Sequence, residues 1–349
     1  MMEKIELSAG SEKNLRKFIL NLKEIDNIIS ISHNKDLDGI ASSKIINSII
    51  KANSIEFIDY SDLNNDLVKR LKEKNFNKII LTDMCFTKDL ILKIEEFAEI
   101  LIIDHHQYHE DLNSRKTTFI NAQGYCAAYL CYYLLSKIKD LKILDWLVAC
   151  ASVSDFCFFN NREWMKEIFK KYGDHFEIIE EKNIRKTGKF WDLQYDLSLA
   201  IIYFSEREKE VYNSIGERFG EIGELRKYIS KVQSEIDSEL KIFEKEKTEI
   251  NGRIFWEFAP KFRIGSILIN ILSSKLYNRT IIIARKDKNH YNLSGRRSDK
   301  GEDMNILMKN LTEGLEDGRG GGHVAAAGGS FLLKDREKFI EKLRKLNKI

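Results

Sequence analysis

The sequence predicts an α/β protein: a doubly wound, mostly parallel sheet, then a helical connector and a smaller α/β unit at the C-terminal end. Three observations carry that expectation. β-branched runs alternate with helical patterns through the first third, a Glu- and Lys-rich stretch repeats apolar residues at helical spacing, and strand-like runs return after residue 250. The boundaries read as 1–170, 171–250 and 251–349, and 349 residues are enough for two separate cores.

Taken in order, the expected strands of the first region are Ile28 to His33, Ile55 to Asp59, Lys78 to Asp83 and Glu99 to Asp104. Between them, Gly39 to Ala52, Leu63 to Lys74 and Thr87 to Phe97 have helical periodicity, so right-handed crossovers should join parallel strands. From Tyr125 to Asp155 the pattern turns helical. In the connector, Ile222, Leu225, Tyr228, Ile229, Val232, Ile236, Leu240 and Phe243 recur every three or four residues, which describes one long amphipathic helix over Ser205 to Ile250. The last region should hold strands at Arg253 to Phe258, Thr280 to Arg285 and His290 to Leu293, with a helix over Ile264 to Tyr277.

Composition excludes several classes. The most apolar stretch, Leu144 to Phe159, is broken by Asp145 and Asp155, which argues against a membrane span. The opening residues, MMEKIELSAGSEKNLRKF, lack the order of a secretion signal, so a cytoplasmic protein is expected. Five cysteines without a CxxC pair read as reduced thiols. A net charge of +3 leaves any phosphate-binding surface to local clustering.

The acidic and imidazole residues fall at strand ends. The first strand runs into SHNKDLDG, with His33, Asp36 and Asp38; the third ends at Asp83; the fourth ends in Asp104, His105 and His106. In an open α/β sheet the ligand crevice lies beyond the carboxyl ends of the strands. Singly, each motif has an ordinary reading: DxDG and Asp83 cap helices, and a His pair makes a polar strand end. Together they bring carboxylates to one edge, where mutual repulsion would raise their pKa values unless a cation lay between them. Carboxylates with imidazoles suit Mn²⁺ first and Mg²⁺ second, and the number of acids suits two ions, a pair able to clamp both oxygens of a phosphoryl transfer.

The C-terminal region adds GRGGGHVAAAGG. There Gly320, Gly321 and Gly322 let backbone amides approach an anion, and His323 can donate to a phosphate; a flexible loop would look the same. Upstream, LSGRRS offers Ser294, Arg296, Arg297 and Ser298 as donors for phosphate oxygens, or simply a solvated strand edge.

In order, DLDG, TD, DHH and SVSD at Ser152 to Asp155 resemble the four motifs of the DHH phosphoesterase family, and GGGH resembles the signature of its associated C-terminal domain. That domain occurs in RecJ-like exonucleases, nanoRNases and cyclic-dinucleotide phosphodiesterases. The resemblance implies that Asp36 and Asp83 hold one Mn²⁺, that Asp38, Asp83, His105 and Asp155 hold the other, and that Asp83 bridges. It implies that His106 faces the substrate phosphate, that Asp104 orients the imidazoles, and that Asn121, Arg296 and His323 contact phosphate or nucleotide. His33 is kept among the metal ligands, although it lies three residues before Asp36 where relatives place a histidine four before; Asn34 stands where RecJ-like enzymes often have aspartate.

The resemblance thus implies a manganese-dependent phosphodiesterase that degrades short single-stranded DNA or RNA to 5′ mononucleotides. Cyclic di-AMP or linear pApA hydrolysis is the alternative, and a non-catalytic replication scaffold a more distant one. An inorganic pyrophosphatase lacks the GGGH and LSGRR features, and the complete acid set speaks against a tRNA-editing role. A homodimer or a replication-protein partner is also envisaged.

Overall fold

The computed structural model describes residues 3–177 and 187–348, which fold as two units divided between Ile229 and Ser230. No helix among the described residues is long and apolar enough to cross a membrane.

In the first unit, α1 (Glu12–Leu20) precedes β1 (Ile28–His33), α2 (Leu37–Asn47), β2 (Ser54–Ile58), α3 (Asn65–Glu73), β3 (Lys78–Thr82), α4 (Lys88–Glu95), β4 (Glu99–Asp104) and β5 (Thr117–Asn121). Helices α5 (Ala127–Leu135), α6 (Asp145–Ser154), α7 (Arg162–Lys171), α8 (Lys189–Tyr203) and α9 (Glu208–Ser214) follow. The strands pair in parallel in the order β2-β1-β3-β4-β5. The chain therefore leaves β1 toward one edge and returns beside it to build the other. That reversal between β1 and β3 opens a crevice at their carboxyl ends. Runs such as Ile79, Ile80 and Leu81, or Ile100 to Ile103, are fully buried because helices cover both faces of the sheet. On one face the core joins Ile29, Ile31, Leu81 and Ile102 to Leu71, Ile94 and Phe119.

Helix α10 (Arg226–Glu246) runs past the division. The expected single helix over Ser205 to Ile250 is two: α9 ends at Ser214 and α10 begins at Arg226. The apolar spacing runs on between them, but Gly220 and Gly223 take left-handed φ values of +70° and +53°, which no helix accommodates.

The second unit contains β6 (Thr248–Ile250), β7 (Arg253–Phe258), α11 (Gly265–Lys275), β8 (Ile281–Asp287), β9 (His290–Arg296), α12 (Met304–Thr312), β10 (Arg319–Gly322), β11 (Ala326–Leu332) and α13 (Arg336–Lys345). Its sheet is mixed, in the order β10-β11-β9-β8-β7-β6, with β7 and β8 the parallel pair. One core joins Phe255, Ile282, Leu293 and Phe331 to Met304, Met308 and Phe339. The glycine-rich segment is thus a strand of a hairpin rather than a loop. Residues His323 to Ala326 close it, with the amide of each end donating to the other's carbonyl at 2.8 and 3.2 Å.

Candidate metal centre

Each acid at the carboxyl edge of the first sheet is placed by backbone geometry. Asp36 caps α2 by accepting from the Gly39 amide at 3.2 Å, and its other oxygen meets His33 Nδ1 at 3.0 Å. Asp38, further along, is buried, and both its oxygens accept amides from the start of α5, Ala127 at 2.6 Å and Ala128 at 2.7 Å. No side chain of its own segment caps α5, so Asp38 serves as its cap from another part of the chain. Asp83 sits just past β3 with φ +57°, a left-handed conformation uncommon for a residue with a Cβ, which turns its carboxylate into the crevice. Asp155 is the C-cap of α6.

His105 lies among these acids. Its Nε2 is 3.2 Å from Asp83 Oδ1 and 3.8 Å from Asp38 Oδ2, and its Nδ1 is 3.8 Å from Asp155 Oδ2. Ligand atoms of His33, Asp36 and Asp83 lie within 4.8 Å of one another, as do those of Asp83, Asp104, His105 and His106, and those of His105, Asp155 and Cys157. Asp83 and His105 thus link the groups. Residues from four separate stretches of sequence meet here.

Electrostatics make the cluster unfavourable on its own. Burial, and then the charges of Asp38, Asp36, Asp104 and Asp155, push the Asp83 carboxyl well above the ordinary range. Burial and the neighbouring Asp38 raise Asp155 to about 7, and burial raises Asp38. Against the cost of burial, His33 holds Asp36 low and His106 holds Asp104 low. Asp83 Oδ2, Asp155 Oδ2 and His33 Nε2 are buried without a hydrogen-bond partner among the described residues. Orphaned acceptors beside raised carboxyls fit a divalent cation, which would satisfy the lone pairs and remove the repulsion together. The donors are carboxylate oxygens and imidazole nitrogens, a set suited to Mn²⁺ or Mg²⁺.

The DHH segment is braced from behind. Asp104 is fully buried and accepts from His106 Nδ1 at 2.8 Å, Tyr108 Oη at 2.8 Å and the His105 amide at 2.8 Å. Asp104 in turn raises the His106 imidazole against the effect of burial. Asn121, at the end of β5, donates through Nδ2 to the carbonyls of Asp104 and His106, both at 3.0 Å, and so pins the loop backbone. Sequence reasoning missed three participants. Tyr108 was marked only by standing two residues after His106, and Tyr60, whose hydroxyl is 3.4 Å from His106 Nε2, only by following the second strand. Cys157 sits two residues past Asp155, and burial pushes its thiol up.

The expected phosphate donors lie in the second unit. Arg296 bonds Asn270 of α11, and Arg297 is held by Asp299 at 2.7 Å and Thr280 at 3.3 Å, in a network that continues through Glu302 to the buried Arg253. Ser298 donates to the Ser273 carbonyl at 3.2 Å, Ser294 is half-buried on β9, and His323 is exposed at the hairpin turn. Of the glycines, Gly320 packs on α12 so closely that a Cβ would lie 2.4 Å from the Met308 carbonyl oxygen, and the Gly322 amide donates to Asn305 at 3.1 Å; Gly321 has more room.

Comparison with known proteins places this geometry. The model of the DHH family, N-terminal domain, matches residues 27–152, and that of the DHHA1 domain matches residues 261–348. RecJ in complex with Mn²⁺ from Thermus thermophilus superposes with a TM-score of 0.68 at 14% identity over 98% of this chain, which spans 55% of that one. Exonuclease RecJ bound to manganese gives 0.63 at 14% over 99% and 97% of the two chains. A DHH-domain member of the s1p family of ribosomal proteins gives 0.64 at 15% over 96% and 90%. No curated protein matches the chain. At these identities the structural likeness is one of fold, while the two domain models together span more than half of the sequence. On that footing the chain belongs to the DHH phosphoesterase family.

Proposed function

We propose that this protein is a cytoplasmic, manganese-dependent phosphodiesterase that degrades short single-stranded DNA or RNA to 5′ mononucleotides. The observation that carries the reading is the set of buried, partnerless atoms on Asp83, Asp155 and His33 among carboxyls raised by burial and mutual charge. Asp36, Asp83 and His33 would hold one ion, and Asp38, Asp83, His105 and Asp155 the second. When bound, the pair supplies a nucleophilic water at neutral pH and neutralises the phosphate oxygens. The chain's own residues do the rest. Asp104 fixes the His106 ring through Nδ1 and favours its charged form, which leaves Nε2 to donate to the phosphate as negative charge builds there. Tyr108 and Asn121 hold that arrangement rigid. A scaffold role is disfavoured because the sequence retains Asp36, Asp38, Asp83, His105 and Asp155.

The test is incubation of the protein and Mn²⁺ with end-labelled DNA, RNA, cyclic di-AMP and linear pApA, with products identified by mass spectrometry. Mononucleotides from single-stranded oligomers, including 20-mers, are expected. Turnover confined to dinucleotides would move the substrate to the signalling class, and no hydrolysis of any of the four would overturn the reading.

A further inference from the structure

Two tyrosines flank the DHH segment and are held in different ways. Tyr108 is fully engaged: its hydroxyl accepts from the Phe86 amide at 3.2 Å and lies 2.8 Å from Asp104 Oδ2 and 2.9 Å from the Met84 carbonyl. Tyr60 is held more loosely. Its hydroxyl accepts from the Cys85 amide at 3.5 Å and meets His106 Nε2 at 3.4 Å, both longer than an ordinary hydrogen bond. This hydroxyl makes no other hydrogen bond among the described residues.

The Tyr60 ring is 41% exposed, so burial does not account for its position. The backbone does. Tyr60 opens a single 3₁₀ turn, Tyr60–Asp62, in which Asp59 accepts from the Tyr60 amide at 2.7 Å and the Asp59 amide donates to Asp62 at 2.9 Å. Lys35, in the loop that carries Asp36, is 2.6 Å from Asp59, and the Asn34 amide donates to the Ile58 carbonyl at 3.1 Å. The turn is thus fastened to the acidic loop, and its ring stands 5.3 Å from that of His33 and, at right angles, 6.5 Å from that of His106.

His106 Nδ1 faces a carboxylate, which can only accept, so Nδ1 carries a hydrogen and Nε2 is the nitrogen left for a ligand. When Nε2 donates to a phosphate oxygen it cannot also accept from Tyr60. A phenol keeps its proton at neutral pH, and the Tyr60 hydroxyl then has the same phosphate as its acceptor. Two donors 3.4 Å apart suit two oxygens of one phosphate group.

We propose that the Tyr60 hydroxyl is a second hydrogen-bond donor to the phosphate at His106 Nε2, and that the two side chains clamp that phosphate between them. The proposal rests on the phosphodiesterase reading for the place of the phosphate.

The test is titration calorimetry of the Mn²⁺-loaded full chain with inorganic phosphate, for the wild type, Tyr60→Phe, His106→Ala and the double variant. Phenylalanine keeps the ring against His33, so melting temperature and Mn²⁺ affinity, measured separately, should be unchanged. Tyr60→Phe should weaken phosphate binding about tenfold, and still about fivefold or more where His106 is already alanine. On an end-labelled oligonucleotide it should lower kcat/KM about 100-fold. Wild-type phosphate affinity in Tyr60→Phe, or no phosphate binding by the wild type, would overturn the clamp. So would a loss that vanishes in the His106→Ala background, since Tyr60 would then act only by orienting the imidazole. A parallel loss of Mn²⁺ affinity would also overturn it, by placing the effect on His33. A wild type that binds phosphate through Tyr60 yet hydrolyses no phosphodiester would remove the phosphodiesterase reading and leave the clamp; hydrolysis unaltered in Tyr60→Phe would do the reverse.

Discussion

The two sheets treat their polar residues in opposite ways. In the parallel sheet, acids and imidazoles gather at the carboxyl ends of β1, β3 and β4, and several of their atoms are buried without partners among the described residues. In the mixed sheet, the arginines that looked most like ligand contacts already have internal partners, Arg296 on Asn270 and Arg297 on Asp299 and Thr280. The first arrangement is electrostatically incomplete and calls for something from outside. The second is satisfied by groups of its own unit.

The strongest test of that contrast is Asp83→Ala. Turnover should fall at least about a thousandfold, and Mn²⁺ should raise the melting temperature of the wild type but not of the variant. In chelator the same variant should melt higher than the wild type, because a buried carboxylate among four others has been removed. A variant that melts lower in chelator would break the contrast. Next in size is Tyr108→Phe, which strips one donor from the buried Asp104 carboxylate. It should lower turnover or metal affinity about 10-fold to 100-fold and stability by about 1–2 kcal/mol, read by kinetics and denaturant titration.

A pH series sharpens the comparison further. The Asp155 carboxyl rises from 3.8 to about 7 on folding, so the folded chain keeps a proton that the unfolded chain releases. Its contribution is fully present below pH 3.8 and is lost as pH climbs from there through about 7. In chelator, the wild type should therefore lose stability relative to Asp155→Asn over that window; parallel curves would contradict the burial of this group. The smallest effect belongs to the second sheet. Arg297→Ala should change oligonucleotide affinity by less than about twofold while costing about 1 kcal/mol of stability, because its guanidinium is spent inside its own unit. A large affinity loss with normal melting would reassign it to the substrate.

Much of the first sheet was legible because β-branched runs bounded by helical periodicity have few other solutions. β1 and β4 run from Ile28 to His33 and from Glu99 to Asp104, as read from the sequence. β5 was missed because TTFIN is short and follows a charged segment, so nothing local separates it from a loop; its pairing with β4 creates it. Helices α5 and α6 are buried on nearly every side, which removes the periodicity that would have shown their ends at Leu135 and Asp145. β10 and β11 were illegible for another reason. Glycine and alanine have little strand preference, and hydrogen bonding to β9 outweighs it. Of the site, the acids were readable as motifs, whereas Tyr60 and Tyr108 belong to it only through folding.

The capping of α5 by Asp38 has a consequence for how the protein is made. The acid and the amides it holds are 89 and 90 positions apart, and Asp155 comes later still. A polypeptide leaving the ribosome presents its first acids long before their companions exist, so the centre matures late in translation. Fragments released before residue 155 should therefore bind manganese poorly.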